Sequence, residues 1–393
     1  MQSIPVYALA ALPPSQRTRT PMSFSNAVTI AGIGETDYSR DSGRTELALS
    51  LQAIGAALDD AGIAAAEVDG LMKWFVDTSS EAEVAVNLGI PDLAWFGEIN
   101  QAGNVGAPLV AHAAAAIHAG LANTIVIYRG VNGRSGRRYG RGDVTGQGGR
   151  GAGAFTEPFG LLTPQHGLAM STRRRMFETG VTSRQFGQQA VIQRKHANRN
   201  PRATFHDRPL TLEDHQESRL IVDPFHLFDC CLESDGGGAL VLTRPELARE
   251  RRPGRPLALI RAAAQSGPGQ SSPVHRTAAR LFAMAGLERS DIDVVQIYDH
   301  FGPFVLFALE DYGFVEDAGD FVEDSGTMWD SGKLPVNTSG GHLSEVYLQG
   351  MNHLIEGVRQ ARGESTSQVP NARLSFVDTG IGTGAVILER SDA

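Results

Sequence analysis

The chain repeats itself, and that limits its folds more than any other feature. Gly238-Ala239, two aliphatic residues, Leu242, one free position and Arg244 recur as Gly384-Ala385, two aliphatics, Leu388, one free position and Arg390. A second echo pairs Ala61-Gly62 and Val68-Asp69 with Ala285-Gly286 and Ile292-Asp293 at the same spacing, each ahead of an apolar run. Two independent echoes indicate a duplication whose halves meet near Pro253–Pro256. Each half is predicted to run strand, helix, strand, glycine turn, helix, strand, which gives an α/β fold with a mixed sheet covered by helices and the two halves packed together. The expected organisation is a disordered tail over 1–22, a first half over 23–250 with a loop region at about 130–225, and a second half over 251–393.

The segments follow in order. Ala27–Ile33 reads as a buried strand and Thr45–Gly62 as an amphipathic helix stopped by Gly62. Asp69–Phe75 reads as a second strand. A turn over Glu98–Gly106 leads to a helix over Ala107–Ala119 and a strand over Thr124–Tyr128, the order in which α/β proteins place reactive groups. Gly32 and Gly34 lack the third glycine of a dinucleotide loop, and the glycine- and arginine-rich run 132–154 lacks the Gly-Lys-Ser/Thr of a phosphate loop. That run is predicted to be a long mobile loop that caps a site or meets a partner. Its arginines, Arg134 among them, are candidates either for the phosphates of a carried cofactor or for a solvated surface. Helix is predicted over about 168–198, mostly connection over 209–223, a glycine turn at Gly236-Gly237-Gly238, and a strand over Val294–Ile297.

Composition removes several function classes. A net charge of −9 and a pI near 5.7 argue against nucleic-acid or membrane-surface binding, and Arg173-Arg174-Arg175 reads as a solvated helix face. No apolar run reaches the roughly 18 residues of a membrane span. The two cysteines, Cys230 and Cys231, are adjacent; they form no disulfide framework, read as small buried hydrophobes away from the reactive turns, and fit a reducing cytoplasm. His226 with Cys230 and Cys231 lacks a metal-ligand spacing, so no metal is expected.

The most informative turn is Asn337-Thr338-Ser339-Gly340-Gly341-His342-Leu343-Ser344-Glu345-Val346-Tyr347-Leu348. Paired glycines permit φ > 0 and close backbone approach, and the helix predicted from Leu348 to about Arg359 would offer free N–H groups to an anion. This spacing resembles the thiolase superfamily segment Asn-x-x-Gly-Gly-x-x-x-x-Gly-His-Pro, with Tyr347 where the catalytic histidine stands. The resemblance covers about residues 27–391 and implies the five-layer α-β-α-β-α thiolase fold. Three further corners follow from it. Ile99–Gly106 puts Gly103 at the nucleophilic cysteine, Tyr298-Asp299-His300-Phe301 replaces His-Asp-Cys-Phe, and Gly380-Ile381-Gly382 stands for Cys-x-Gly. Both cysteines required for acyl transfer are therefore missing. The amides of Gly103 and Gly382 would survive as an oxyanion hole, worth about 2.7–4 kcal/mol per donor.

Asn132-Gly133-Arg134-Ser135-Gly136, Asp229-Cys230-Cys231 and Ile297-Tyr298-Asp299 look like the lipid-transfer-protein-type aldolases of bacterial steroid degradation. That resemblance implies retro-aldol cleavage of a β-hydroxyacyl-CoA steroid side chain to a 17-keto steroid and a short acyl-CoA such as propionyl-CoA. It implies Tyr298 and Tyr347 as acid and base, Asp299 or His300 orienting Tyr298, and Asn337, Gly340, Gly341 and Arg134 toward the substrate and its CoA. It also implies no cofactor or metal, a homodimer, and a small zinc-ribbon and OB-fold partner in a heterotetramer. The alternative is an inactive acyl-CoA-binding scaffold in a hydratase complex.

Overall fold

The computed structural model describes residues 24–100, 104–136, 138, 153–267, 272–380 and 382–392. The tail expected over 1–22, Gly103 and most of the glycine-rich run lie outside them.

The first half opens with β1 (Thr29–Glu35) and α1 (Glu46–Ala61). Thr45 starts this helix by accepting from the Ala48 amide, and Gly62 ends it in the left-handed region, φ 68°. β2 (Gly70–Trp74), α2 (Glu81–Leu88), β3 (Trp95–Ile99), α3 (Gly106–His118) and β4 (Thr124–Asn132) follow. An insert then holds α4 (Gly153–Thr156), α5 (Pro164–Thr179), α6 (Ser183–Ala197), α7 (Leu212–Glu217) and the hairpin β5 (Leu220–Val222) and β6 (Phe225–His226); β7 (Asp235–Thr243) returns to the sheet. The second half contains α8 (Pro245–Arg251), β8 (Leu257–Gln265), α9 (Pro273–Ala285), β9 (Val294–Ile297), α10 (Pro303–Asp311), α11 (Ala318–Glu323), α12 (Gly341–Ser344), α13 (Met351–Arg362), β10 (Leu374–Asp378) and β11 (Gly384–Ser391).

Nine strands form one mixed sheet in the order β3-β2-β4-β7-β1-β8-β11-β10-β9, and β5 and β6 pair apart from it. The halves join where Thr29 and Ile30 of β1 pair with Leu259 and Ala258 of β8. α3 and α13 lie between the half-sheets in a shared apolar core that includes Leu109, Ile117, Leu354, Ile355, Leu240 and Val386. α1 covers the outer face of the first half and α9 that of the second, which completes the five layers. The duplication is visible in detail. Gly62 and Gly286 both cap their helices at positive φ, and a short 3-10 turn precedes β2 and β9 alike. Gly238 of β7 faces Met351 of α13, while Gly384 of β11 faces Pro108 of α3, so each half's glycine makes room for the other half's central helix.

Several expectations need correction. The helix expected over 168–198 is two helices, split where Gly180 takes φ 80°. The 209–223 connection contains α7 and β5. Gly236-Gly237-Gly238 is strand rather than turn; a side chain at Gly237 would meet the Leu49 carbonyl at 2.7 Å. The helix expected from Leu348 starts at Met351, after a separate helical turn at Gly341. The arginine run is only partly solvated: Arg174 is exposed beside Glu178, but Arg175 turns inward to Glu310 and Asp311.

Candidate active site

The described parts of the four corners meet near the ends of β9 and β10. Asn104 donates to the Gly380 carbonyl (3.2 Å) and to Thr383 Oγ1 (2.6 Å), and the Ala107 amide donates to Thr379 Oγ1 at 2.8 Å. These bonds tie the first corner to the fourth.

β9 delivers Tyr298, Asp299 and His300. Its exit is held by Asn337, whose side chain accepts from the Ile297 amide (2.7 Å) and donates to the Ile297 carbonyl (2.9 Å). Asn337 is fully buried at φ 53°, so it is a backbone clamp that aims Tyr298, with its amide committed away from any ligand. The paired glycines are also structural. A side chain at Gly340, φ 110°, would meet Ala197 at 2.6 Å, and one at Gly341, φ 58°, would meet Asp299 Oδ2 at 2.5 Å. Their close approach lets the amides of His342 and Leu343 donate to Asp299 at 2.8 and 3.1 Å. The anion at this helical turn is thus Asp299 itself, and the substrate-binding role expected for Asn337, Gly340 and Gly341 does not fit where they stand.

Gln193 Nε2 also donates to Asp299 at 2.6 Å, while His353 Nε2 stands 2.9 Å and His342 Nδ1 3.4 Å from its Oδ1. Burial pushes its carboxyl up, but the His353 bond, the neighbouring imidazoles and the His342 amide outweigh this and bring it down to about 2. His342 Nε2 accepts from the Gly350 amide at 3.1 Å, and burial pushes this ring well below the usual histidine range. Burial likewise lowers His300 to about 4. Asp299, His342 and His353 form the one group among the described residues whose donor atoms, all within 4.8 Å of one another, could hold a metal. Three hydrogen-bond donors already fill the carboxylate, with the His353 ring against it, which suits a closed hydrogen-bonded cluster better.

Above this cluster the two tyrosines meet. Tyr298 Oη and Tyr347 Oη are 2.8 Å apart, and the His342 ring sits edge-on to both, with centroids at 4.6 and 4.7 Å. His300 packs 5.2 Å from Tyr298 on the other side. The tyrosines, singled out separately in sequence, are therefore one hydrogen-bonded pair, and Asp299 holds the turns that carry both. His342 and His353 were missed. The first lies inside the motif but was passed over for Tyr347, and the second is on α13, where nothing in the spacing marks it.

A cavity of about 240 Å³ opens beside Tyr298, lined by Val274, Phe304, Phe307 and Ala308, by Ser171, Arg174 and Arg175 of α5, and by Asp378 and Gly382. It is smaller than the roughly 300–1,000 Å³ of a typical ligand site, so it holds only part of a large substrate. Gly382 lies here as expected, but its amide and that of Gly380 face the Asp378 carboxylate, and its carbonyl accepts from Thr277 Oγ1 at 2.6 Å. The amide drawn on for an oxyanion hole is directed at a carboxylate instead. Arg134 sits apart, its amide on Asp235 (2.9 Å) and its side chain 3.6 Å from Glu233.

The cysteines are closer to the site than their spacing suggests: Cys230 bridges to Phe301, and the Cys231 amide donates to the His300 carbonyl at 3.0 Å. Burial pushes the Cys230 thiol up to about 12 and Cys231 well above the usual range. Neither is a thiolate near neutral pH.

Comparison with known proteins agrees with this arrangement. Residues 261–389 match the family "Thiolase C-terminal domain-like". A steroid side-chain-cleaving aldolase of Thermomonospora curvata is 45% identical over 92% of this chain and 97% of its own. The 17-hydroxy-3-oxo-4-pregnene-20-carboxyl-CoA lyase of Mycobacterium tuberculosis is 41% identical over 93% of this chain and all of its own. Among solved structures, the Ltp2-ChsH2(DUF35) aldolase superposes with a TM-score of 0.87 at 44% identity, covering 93% of this chain and 98% of that one. Human mitochondrial 3-ketoacyl-CoA thiolase shares the fold alone, with a TM-score of 0.66 at 16% identity over 93% and 98% of the two chains. Thiolase architecture, a hydrogen-bonded phenol pair at a site without reactive sulfur and relatives matched end to end lead to one statement: the chain belongs to the steroid side-chain-cleaving aldolases, carbon–carbon lyases built on the thiolase fold.

Proposed function

We propose that this chain performs retro-aldol cleavage of a β-hydroxyacyl-CoA on a steroid side chain, releasing a 17-keto steroid and a short acyl-CoA such as propionyl-CoA. The reaction must take a proton from the tertiary hydroxyl, carry negative charge onto the thioester enolate and protonate the α-carbon. The observation that carries the reading is the Tyr298–Tyr347 contact of 2.8 Å beside an apolar cavity, with no thiolate in reach. Phenols donate and accept protons without forming a covalent intermediate, and such transfer contributes about 10²–10⁴-fold in rate. No cofactor or metal enters this scheme; CoA belongs to the substrate, with Arg134 among the basic residues available to its phosphates.

We extend the proposal to assembly and location. β3 is an edge strand with Phe96 66% exposed, an edge that a second copy would cover in a homodimer. A small zinc-ribbon and OB-fold protein is the expected partner in a heterotetramer, as the solved relative was obtained with ChsH2(DUF35). No described helix is long and apolar enough to cross a membrane, and we place the enzyme in the cytoplasm. The test is product analysis of the purified chain, alone and with that partner, on 17-hydroxy-3-oxo-4-pregnene-20-carboxyl-CoA. Equimolar ketone and acyl-CoA are expected. Binding with no ketone in either mixture would return the chain to the role of an inactive scaffold.

A further inference from the structure

Asp378 ends β10 beside β9 and is 1% exposed. Its Oδ1 accepts from Tyr312 Oη at 2.9 Å; the Gly380 and Gly382 amides are turned toward the carboxyl, yet Oδ2 makes no hydrogen bond of normal geometry among the described residues. The carboxyl lines the same cavity as Tyr298, and the two residues are joined through the Tyr298 amide and the Asp378 carbonyl at 3.1 Å. Buried carboxylates kept for structure are saturated with donors, as Asp299 is; an unsatisfied oxygen on a carboxyl that lines a cavity calls for another explanation.

Resting on the aldolase reading, we infer that Asp378 is the catalytic base that takes the substrate's hydroxyl proton, leaving the tyrosines as the acid. Oδ2 accepts the proton, and the O–H electron pair becomes the second bond of the new ketone. The C–C bond breaks, and its electrons pass to the thioester enolate. Tyr298, backed by its bond to Tyr347, then protonates the α-carbon. A carboxylic acid and a phenolate remain in one cavity. The proton passes from the former to the latter, downhill by ordinary values of about 4 against about 10. The cycle balances with no oxidant, reductant or further reactant.

Burial pushes the Asp378 carboxyl up to about 6, against the Tyr312 bond, the two glycine amides and the charge of His353, so it is ionised above that pH and empty of its proton when substrate binds. The ionisable groups around it are Tyr312 beside α10, Tyr298 after β9 and His353 from α13. Across the cavity, Arg175 is paired with Asp311 and Arg174 with Glu178.

The experiment is the pH profile of kcat/KM with the steroid CoA thioester, on the full chain with its partner. The wild type is expected to lose activity below an inflection near 6. Asp378→Asn, shown folded by near-UV circular dichroism, is expected to lack that limb and to fall about 100-fold on the plateau. Tyr312→Phe removes a bond to the ionised form and is expected to move the inflection upward. A folded Asp378→Asn that keeps its turnover or its acid limb overturns the assignment, as does an inflection that Tyr312→Phe leaves in place. Loss of ketone release from the wild type itself would instead overturn the aldolase reading.

Discussion

Asp299 follows β9 and Asp378 ends the neighbouring parallel strand β10, both buried, yet the fold treats them in opposite ways. Asp299 is surrounded by two amides, a glutamine and a histidine, and its carboxyl is held near 2. Asp378 accepts one phenol on Oδ1, has the Gly380 and Gly382 amides turned toward its carboxyl but no hydrogen bond of normal geometry on Oδ2 among the described residues, and is pushed up by burial to about 6. A saturated carboxylate is a fixed structural charge, whereas an undersupplied one is available for chemistry. The same pair explains what the scaffold gained on losing sulfur. One aspartate locks the turns that bring two phenols together, and the other lines the same cavity as Tyr298.

The contrast can be broken most severely at Asp299. Asp299→Asn strips the charge from three donors and the adjoining His353 and is expected to cost about 3–5 kcal/mol, the usual penalty for breaking a buried ionic network, read by urea unfolding at pH 7.5. Because Asp299 binds its proton less tightly when folded, its contribution is present above about 4 and fades as pH falls toward about 2. Gly341→Ala adds a methyl 2.5 Å from Asp299 Oδ2 at φ 58°. It is expected to cost about 1–3 kcal/mol and to lower kcat with a smaller change in KM, because it moves both phenol-bearing turns. Asp378→Asn has the opposite sign. Its carboxyl binds a proton more tightly when folded, so its contribution favours the native state at low pH and is withdrawn as pH rises from about 4 through about 6. At pH 8 the variant should therefore be as stable as the wild type or more so, by the same unfolding assay. The smallest effect is expected from iodoacetamide: at pH 7.5 the activity should survive it, since the raised thiols of Cys230 and Cys231 present no thiolate.

Features that depend on local chemistry were legible in the sequence. Thr45 and Gly62 bound α1 because a hydroxyl cap and a left-handed glycine act within one turn of chain. β9 was legible over Val294–Ile297 because its apolar run sits between sharp boundaries. The repeated Gly-Ala segments disclosed the two-fold build because each must leave room for a helix from the other half. Long-range facts stayed hidden. Gly236–Gly238 looks like a turn until α1 is laid against it. Gly340, Gly341 and Asn337 looked like ligand contacts because nothing local shows that Asp299 and Ile297 already occupy them. His353 and Asp378 carried no motif; their roles arise only when α13 and β10 pack beside β9.

The phenol pair is the claim on which the rest depends, and single-turnover cleavage of the steroid CoA thioester by Tyr298→Phe and Tyr347→Phe tests it most directly. Each variant, folded and still binding substrate, is expected to release ketone at least about 100 times more slowly than the wild type. Wild-type rates in both would contradict it.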